Sequence, residues 1–163
     1  MAETTPWMRV AEKARSTAMS IKAPERPVHL YWYKDRCTTC LSCMAVCSER
    51  HTRMTAPLRA RVRIVASTLG DEYSAQVCRQ CRKPDCANAC PVEAIHFDLR
   101  LRAWLVDDDL CTGCGSCVEA CKFGAIQLDP VTGLAAKCDL CQGDAWCTQV
   151  CQAHALVLKG REE

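Results

Sequence analysis

Cys111-Thr112-Gly113-Cys114-Gly115-Ser116-Cys117-Val118-Glu119-Ala120-Cys121 sets four thiols at the spacing C-x2-C-x2-C-x3-C. The first three crowd into one short loop. The fourth stands about one helical turn beyond the third, so it is aimed at a neighbouring centre and not at its own loop. The same run recurs at Cys37-Cys40-Cys43-Cys47. Two variants with a longer gap before the third cysteine follow at Cys78-Cys81-Cys86-Cys90 and Cys138-Cys141-Cys147-Cys151. All 16 cysteines of the 163-residue chain fall into these groups. Zinc favours two well-separated pairs, whereas three crowded thiolates with a fourth pointing away suit a cubane, so the pattern points to four [4Fe-4S] clusters. Metal-binding chemistry on this scale in a short chain implies electron transport. A zinc-stapled structural or regulatory protein is the alternative, and iron content separates the two.

Composition narrows the class. Aromatic residues make up 6% of the chain and thiols inflate the 49% hydrophobic fraction, so the clusters must supply much of the core and the apo chain should fold poorly. The formal charge of +2 counts every thiol as neutral. Sixteen thiolates and four cluster cores bring it to roughly −6, which removes a basic-protein case for nucleic-acid binding. No stretch of about 18 apolar residues occurs that could span a membrane directly. The first 35 residues show no apolar signal region, no A-x-A cleavage pattern and no twin arginine, so a disulfide-rich secreted scaffold is disfavoured and a cytoplasmic setting is expected.

Along the chain, Thr5-Pro6 opens an expected amphipathic helix with Trp7, Val10, Ala11, Ala14, Ala18 and Ile21 on one face. Pro24 and Pro27 end it, dividing the chain into an interaction arm over 1–27 and a four-cluster domain over 28–163. Val28 to Lys34 reads as a strand. Cys90, Cys121 and Cys151 each begin C-x3-A-[IL] and lead into a short apolar strand, which marks copies of one cluster-and-strand unit. Ile95–Asp98 with Ala103–Val106, and Ala125–Leu128 with Leu134–Ala136, are predicted hairpins. Arg59, Arg61 and Arg63 alternate with Ala60, Val62 and Ile64, the pattern of a strand with one basic face.

The chain resembles the iron-sulfur electron-transfer subunits that serve molybdenum and tungsten enzymes, formate dehydrogenase complexes and some hydrogenases. Carrying the resemblance are Cys78-Arg79-Gln80-Cys81 with Pro84, Cys86 and Cys90-Pro91, then Val106-Asp107 ahead of the Cys111 group, and Lys137-Cys138-Asp139-Leu140-Cys141. It covers about residues 28–158. The resemblance implies an α+β fold of two ferredoxin-like halves with short hairpins and helices, the first cysteine group paired with the fourth and the second with the third. It further implies four ligand sets: Cys37, Cys40, Cys43 and Cys151; Cys138, Cys141, Cys147 and Cys47; Cys78, Cys81, Cys86 and Cys121; Cys111, Cys114, Cys117 and Cys90. The implied partners are a catalytic molybdenum or tungsten oxidoreductase subunit, such as an aldehyde oxidoreductase or formate dehydrogenase, and a further electron-acceptor subunit. A hydrogenase or carbon monoxide dehydrogenase linker and a free-standing polyferredoxin are the alternatives. The chain stops shortly after Leu158, where membrane-associated relatives continue, so a compact soluble complex is expected. Self-association through the N-terminal helix is a separate expectation.

No G-x-G-x-x-G nucleotide loop is present, and no catalytic residue is assigned. Arg36, Arg79, Arg82, Lys83, Lys122 and Lys137 lie next to or near cysteines, where positive charge raises a cluster's potential or merely solvates a surface. His29, His51, His96 and His154 lack metal-site spacing. Trp7, Trp32, Trp104 and Trp146 are expected to serve as packing bulk.

Overall fold

The computed structural model describes residues 27–66 and 72–160. The N-terminal helix and its stripe lie outside them. Strands are short and come in pairs: β1 (His29–Trp32), β2 (Arg63–Ala66), β3 (Tyr73–Gln76), β4 (Ile95–Asp98), β5 (Ala103–Val106), β6 (Ile126–Leu128), β7 (Ala135–Lys137) and β8 (Leu156–Lys159). The helices are α1 (Ser42–Thr52), α2 (Asp85–Asn88), α3 (Ser116–Ala120) and α4 (Trp146–Gln149). Each helix begins at or just before the third cysteine of a group, which is what a three-residue gap between the last two thiols requires.

Among the described residues the strands form four two-stranded antiparallel sheets, β1–β8, β2–β3, β4–β5 and β6–β7. The β4–β5 hairpin has the predicted bounds, with Ile95 opposite Val106 and Asp98 opposite Ala103. The β6–β7 hairpin starts and ends within one residue of what the sequence pattern suggests. In the β1–β8 pair, His29 stands opposite Lys159 and Trp32 opposite Leu156. Tyr33 N–H extends that ladder by donating to Ala155 O at 2.8 Å.

A two-stranded sheet is marginal by itself and needs a packed face. Two cores supply it. One gathers Val28, Leu30, Met44, Val62, Val77, Leu140 and Leu156 from both ends of the chain, and includes Cys43, Cys47, Cys138 and Cys147. The other gathers Ala87, Ile95, Trp104, Ile126 and Ala135 around Cys117. The α+β halves are therefore nested: a contiguous inner half carries the second and third cysteine groups, and an outer half folds the first group onto the fourth. Helix packing follows the same division, α1 against α4 and α2 against α3.

The basic strand face is corrected. Arg59 ends a 3-10 turn (Pro57–Arg59), Arg61 lies in a bend, and only Arg63 enters β2. Their partners are internal. Arg59 Nε donates to Asp129 Oδ2 at 2.8 Å, Arg61 to Asp139 Oδ2 at 2.9 Å, and Arg63 to Gln127 Oε1 and to Gly124 O. Instead of presenting a basic surface, these arginines clip one spacer onto both halves.

Candidate metal centres

The cysteine loops owe their curvature to left-handed backbone. In the first group Thr39 and Leu41 take φ of 53° and 60°, and in the third group Gly113 and Gly115 take 68° and 81° at the matching positions. Gln80 and Leu140 do the same ahead of Cys81 and Cys141. Such turns face successive N–H groups inward and make an anion-binding concavity, the environment that an anionic thiolate cluster needs. At Gly113 the requirement is also steric, because a Cβ there would lie 2.5 Å from Gly133 O.

The C-x3-A repeat has a direct structural meaning. Residues Glu93, Gly124 and His154 turn left-handed, which brings the next N–H back onto the preceding thiol. Ala94 N–H donates to Cys90 Sγ at 3.3 Å, Ala125 to Cys121 at 3.4 Å and Ala155 to Cys151 at 3.3 Å. Cys47 follows another route, since α1 continues past it and Arg61 N–H donates to its Sγ at 3.2 Å. Ala135 N–H reaches Cys111 Sγ at 3.4 Å.

The thiols gather across groups. Cys43 lies within electrostatic reach of Cys151, Cys37 and Cys40, and a cavity of about 170 Å³ is lined by these four with Trp32, Ile64 and Leu156. Cys117 neighbours Cys111, Cys90 and Cys114, and all four line a second cavity. Cys81 and Cys86 each neighbour Cys78 and Cys121. Cys147 neighbours Cys47 and Cys141, and Cys138 neighbours Cys147. Electrostatic reach also extends between gatherings, from Cys147 to Cys43 and from Cys138 to Cys78.

Electrostatics fit a metal centre. Burial, reinforced by neighbouring thiolates, pushes Cys43 up to about 11, and burial likewise pushes Cys86 up to about 12. Burial raises Cys138 and Cys147 further. Without iron these groups are neutral thiols at pH 7, so cluster binding must displace their protons. At the exposed ends, hydrogen bonds from Ser42 and Ser116 lower Cys40 and Cys114 instead. Four-thiol gatherings with backbone N–H donors to the sulfurs suit iron-sulfur cubanes.

Sequence spacing gives His51 no site role, and Lys137 is one of the six basic residues named near cysteines. His51 Nε2 sits 3.8 Å from Cys141 Sγ and 3.4 Å from Asp139 Oδ1, and Asp139 Oδ1 accepts Cys141 N–H at 2.9 Å. Lys137 is buried, 3% exposed, in a seam between the halves. By contrast Lys122 is exposed and pairs with Asp85 at 2.9 Å, and the Arg79 guanidinium lies over the Phe123 ring at 4.4 Å. Trp104 is core, as expected, edge-on to Phe97 at 5.2 Å.

Residues 104–127 match the 4Fe-4S binding domain model. The chain is 37% identical over 65% of its length to a tetrathionate reductase subunit of Archaeoglobus fulgidus, of which it covers 51%. It is 32% identical over 72% of its length to the polyferredoxin-like subunit of an aliphatic sulfonate oxidoreductase of Pyrococcus furiosus, covering 67% of that protein. It is 33% identical over 78% of its length to an uncharacterised ferredoxin of Methanocaldococcus jannaschii, covering 77%. The chain thus spans about half the length of the first of these. Among solved structures, a chain of the BamBC active-site complex of benzoyl coenzyme A reductase with 1,5-dienoyl-CoA superposes with a TM-score of 0.50 at 23% identity. The match covers 85% of this chain and 79% of that one, a likeness of fold. No helix among the described residues is long and apolar enough to cross a membrane.

Proposed function

The chain belongs to the ferredoxin-like iron-sulfur proteins that serve as electron-transfer subunits of oxidoreductase complexes, and from that premise we propose that it carries four [4Fe-4S] clusters as a wire between a catalytic subunit and an acceptor subunit. What supports this reading is the electrostatic proximity of thiols from paired cysteine groups, Cys43 with Cys151, Cys117 with Cys90, Cys86 with Cys121 and Cys147 with Cys47. On this reading Cys37, Cys40, Cys43 and Cys151 hold one cluster, and Cys47, Cys138, Cys141 and Cys147 its neighbour. Cys78, Cys81, Cys86 and Cys121 hold a third, and Cys90, Cys111, Cys114 and Cys117 a fourth. Bound clusters each supply a one-electron couple. The protein fixes their spacing, shields them with apolar side chains and stabilises sulfur-borne charge with backbone N–H groups.

The catalytic partner is a cytoplasmic molybdenum- or tungsten-dependent oxidoreductase. Family resemblance supports the metal, and likeness to chains named as subunits of a tetrathionate reductase and of an aliphatic sulfonate oxidoreductase supports an oxidoreductase partner. A hydrogenase linker is the second reading, favoured by 33% identity over 58% of the chain to the hydrogenase-2 operon protein HybA of Escherichia coli. Anaerobic purification with bound partners, mass spectrometry of those partners and iron quantification test the proposal. About sixteen irons per chain and a co-purifying molybdenum or tungsten protein are expected. Zinc in place of iron would overturn the wire, and a co-purifying nickel protein would move the partner to the hydrogenase class.

A further inference from the structure

Lys137 Nζ is surrounded by oxygen acceptors: Gln80 Oε1 at 3.3 Å, Cys138 O at 3.2 Å and Trp104 O. The same atoms are tied to each other. Gln80 Nε2 donates to Cys138 O at 2.7 Å and Trp104 N–H donates to Gln80 Oε1 at 2.8 Å. Gln80 is as buried as the lysine, at 2% exposure. Nζ donates toward all three oxygens, the geometry that suits an ammonium's three donors.

A buried unpaired charge is among the costliest features a fold can hold. No carboxylate pairs with Lys137 among the described residues, whereas Arg59, Arg61 and Lys122 all have one. Carbonyl oxygens satisfy its hydrogen bonds without neutralising it. The acidic group within its electrostatic reach is a thiol, that of Cys86. Lys137 immediately precedes Cys138, its Gln80 partner immediately precedes Cys81, and it is the cation that draws the Cys86 thiol down against the burial that pushes it up. Cys78 lies within electrostatic reach of Cys138.

We propose that the Lys137 ammonium is the fixed counter-charge for the two clusters that meet at the seam between the halves, those of the Cys78 set and the Cys138 set. This rests on the four-cluster reading above. A cubane with four thiolates carries about −2 when oxidised and one charge more when reduced. A cation held between two such groups in a low-dielectric seam favours the added electron on either of them. Lys137 therefore raises the potential of the two inner steps relative to the two outer ones, and makes the passage between halves an electron-accepting stretch of the wire.

The test uses the full chain, loaded with iron and sulfide under anaerobic conditions, in Lys137→Met, Lys137→Gln and Lys137→Arg forms, followed by redox titration with electron paramagnetic resonance. Both neutral variants should lower the reduction equilibrium constant of two clusters by about tenfold, a shift of about 59 mV for one electron, and leave the other two unchanged. Lys137→Arg should keep wild-type midpoints. If the neutral variants fail to load clusters while the arginine variant loads them, the requirement for positive charge stands. Fully loaded neutral variants with four unchanged midpoints would overturn the inference. So would loss of iron from all three variants, since the need would then be for the shape of lysine. A wild-type chain lacking about sixteen irons fails the four-cluster reading itself and is seen before any variant is titrated.

Discussion

Cys47 Sγ accepts the backbone N–H of Arg61 at 3.2 Å, and the guanidinium of the same arginine holds Asp139 at 2.9 Å. One residue thus serves the first cysteine group through its backbone and the fourth through its side chain. In the other groups an alanine four residues on supplies the N–H. In α1 that N–H belongs to the helix ladder, so the chain loops back through the Pro57–Arg59 turn to provide a substitute. Ser48, fully buried, anchors the loop by accepting Ala56 N–H at 3.1 Å.

His51 stands on the same helix with Nε2 facing a carboxylate and a thiol sulfur, both acceptors, so Nε2 carries the hydrogen. Burial, with Arg61 close by, lowers its pKa from the ordinary value, which favours the neutral ring. Hydrogen bonds at cluster sulfur raise the potential. His51→Phe should lower the midpoint of one cluster, by the same amount at pH 7 and pH 9, in a redox titration. A difference that vanished at pH 9 would assign the effect to a proton on the ring.

Cys151→Ser should damage the cluster built mainly from the first group, although Cys151 lies in the fourth. Iron loss should amount to one cluster or less, and its resonance signature should match that of Cys40→Ser. Matching Cys141→Ser instead would show ligation within sequence groups.

Two neighbouring glycines separate sterics from conformation. Gly115→Ala meets open space and bears only the left-handed backbone cost of about 1–2 kcal/mol. Gly113→Ala adds a clash with Gly133 O. Chelator-driven bleaching of the visible band should be markedly faster for Gly113→Ala than for Gly115→Ala, and equal rates would discount the clash.

Burial would raise Asp129, but the Arg59 guanidinium and the N–H groups of Thr132 and Val131 win and bring it down to about 2. Because the folded value lies below the unfolded value of about 3.9, its contribution is complete above about pH 4 and fades only as pH falls toward 2. Asp129→Asn should therefore lower the thermal bleaching midpoint by a similar amount at pH 6 and pH 9. A deficit that grew across that range would indicate a different titrating group.

What sequence could show depended on how far apart the interacting residues lie. Hairpins such as β4–β5 are local, and alternation with turn residues is enough to place them. The one-turn gap between the last two thiols likewise announces helices. Arg59, Arg61 and Arg63 misled because their partners lie 61 to 78 residues away, so alternation was mistaken for a strand face. His51 meets Cys141 across 90 residues, and no local pattern encodes that. Lys137 looked like any lysine beside a cysteine, since burial is a property of the seam and not of its neighbours in sequence.

The nested arrangement sets a timetable for assembly. Inner-half cysteines from Cys78 to Cys121 leave the ribosome as one continuous stretch, and the hairpins that flank them need nothing made later than Lys137. The outer half cannot close until β8 has been synthesised to pair with β1, so on the proposed ligand sets Cys37, Cys40 and Cys43 wait for Cys151, made more than a hundred residues later. Domains fold as units during synthesis. Metallation should accordingly run from the middle of the chain outward, with the first thiols made being among the last to be protected from oxygen.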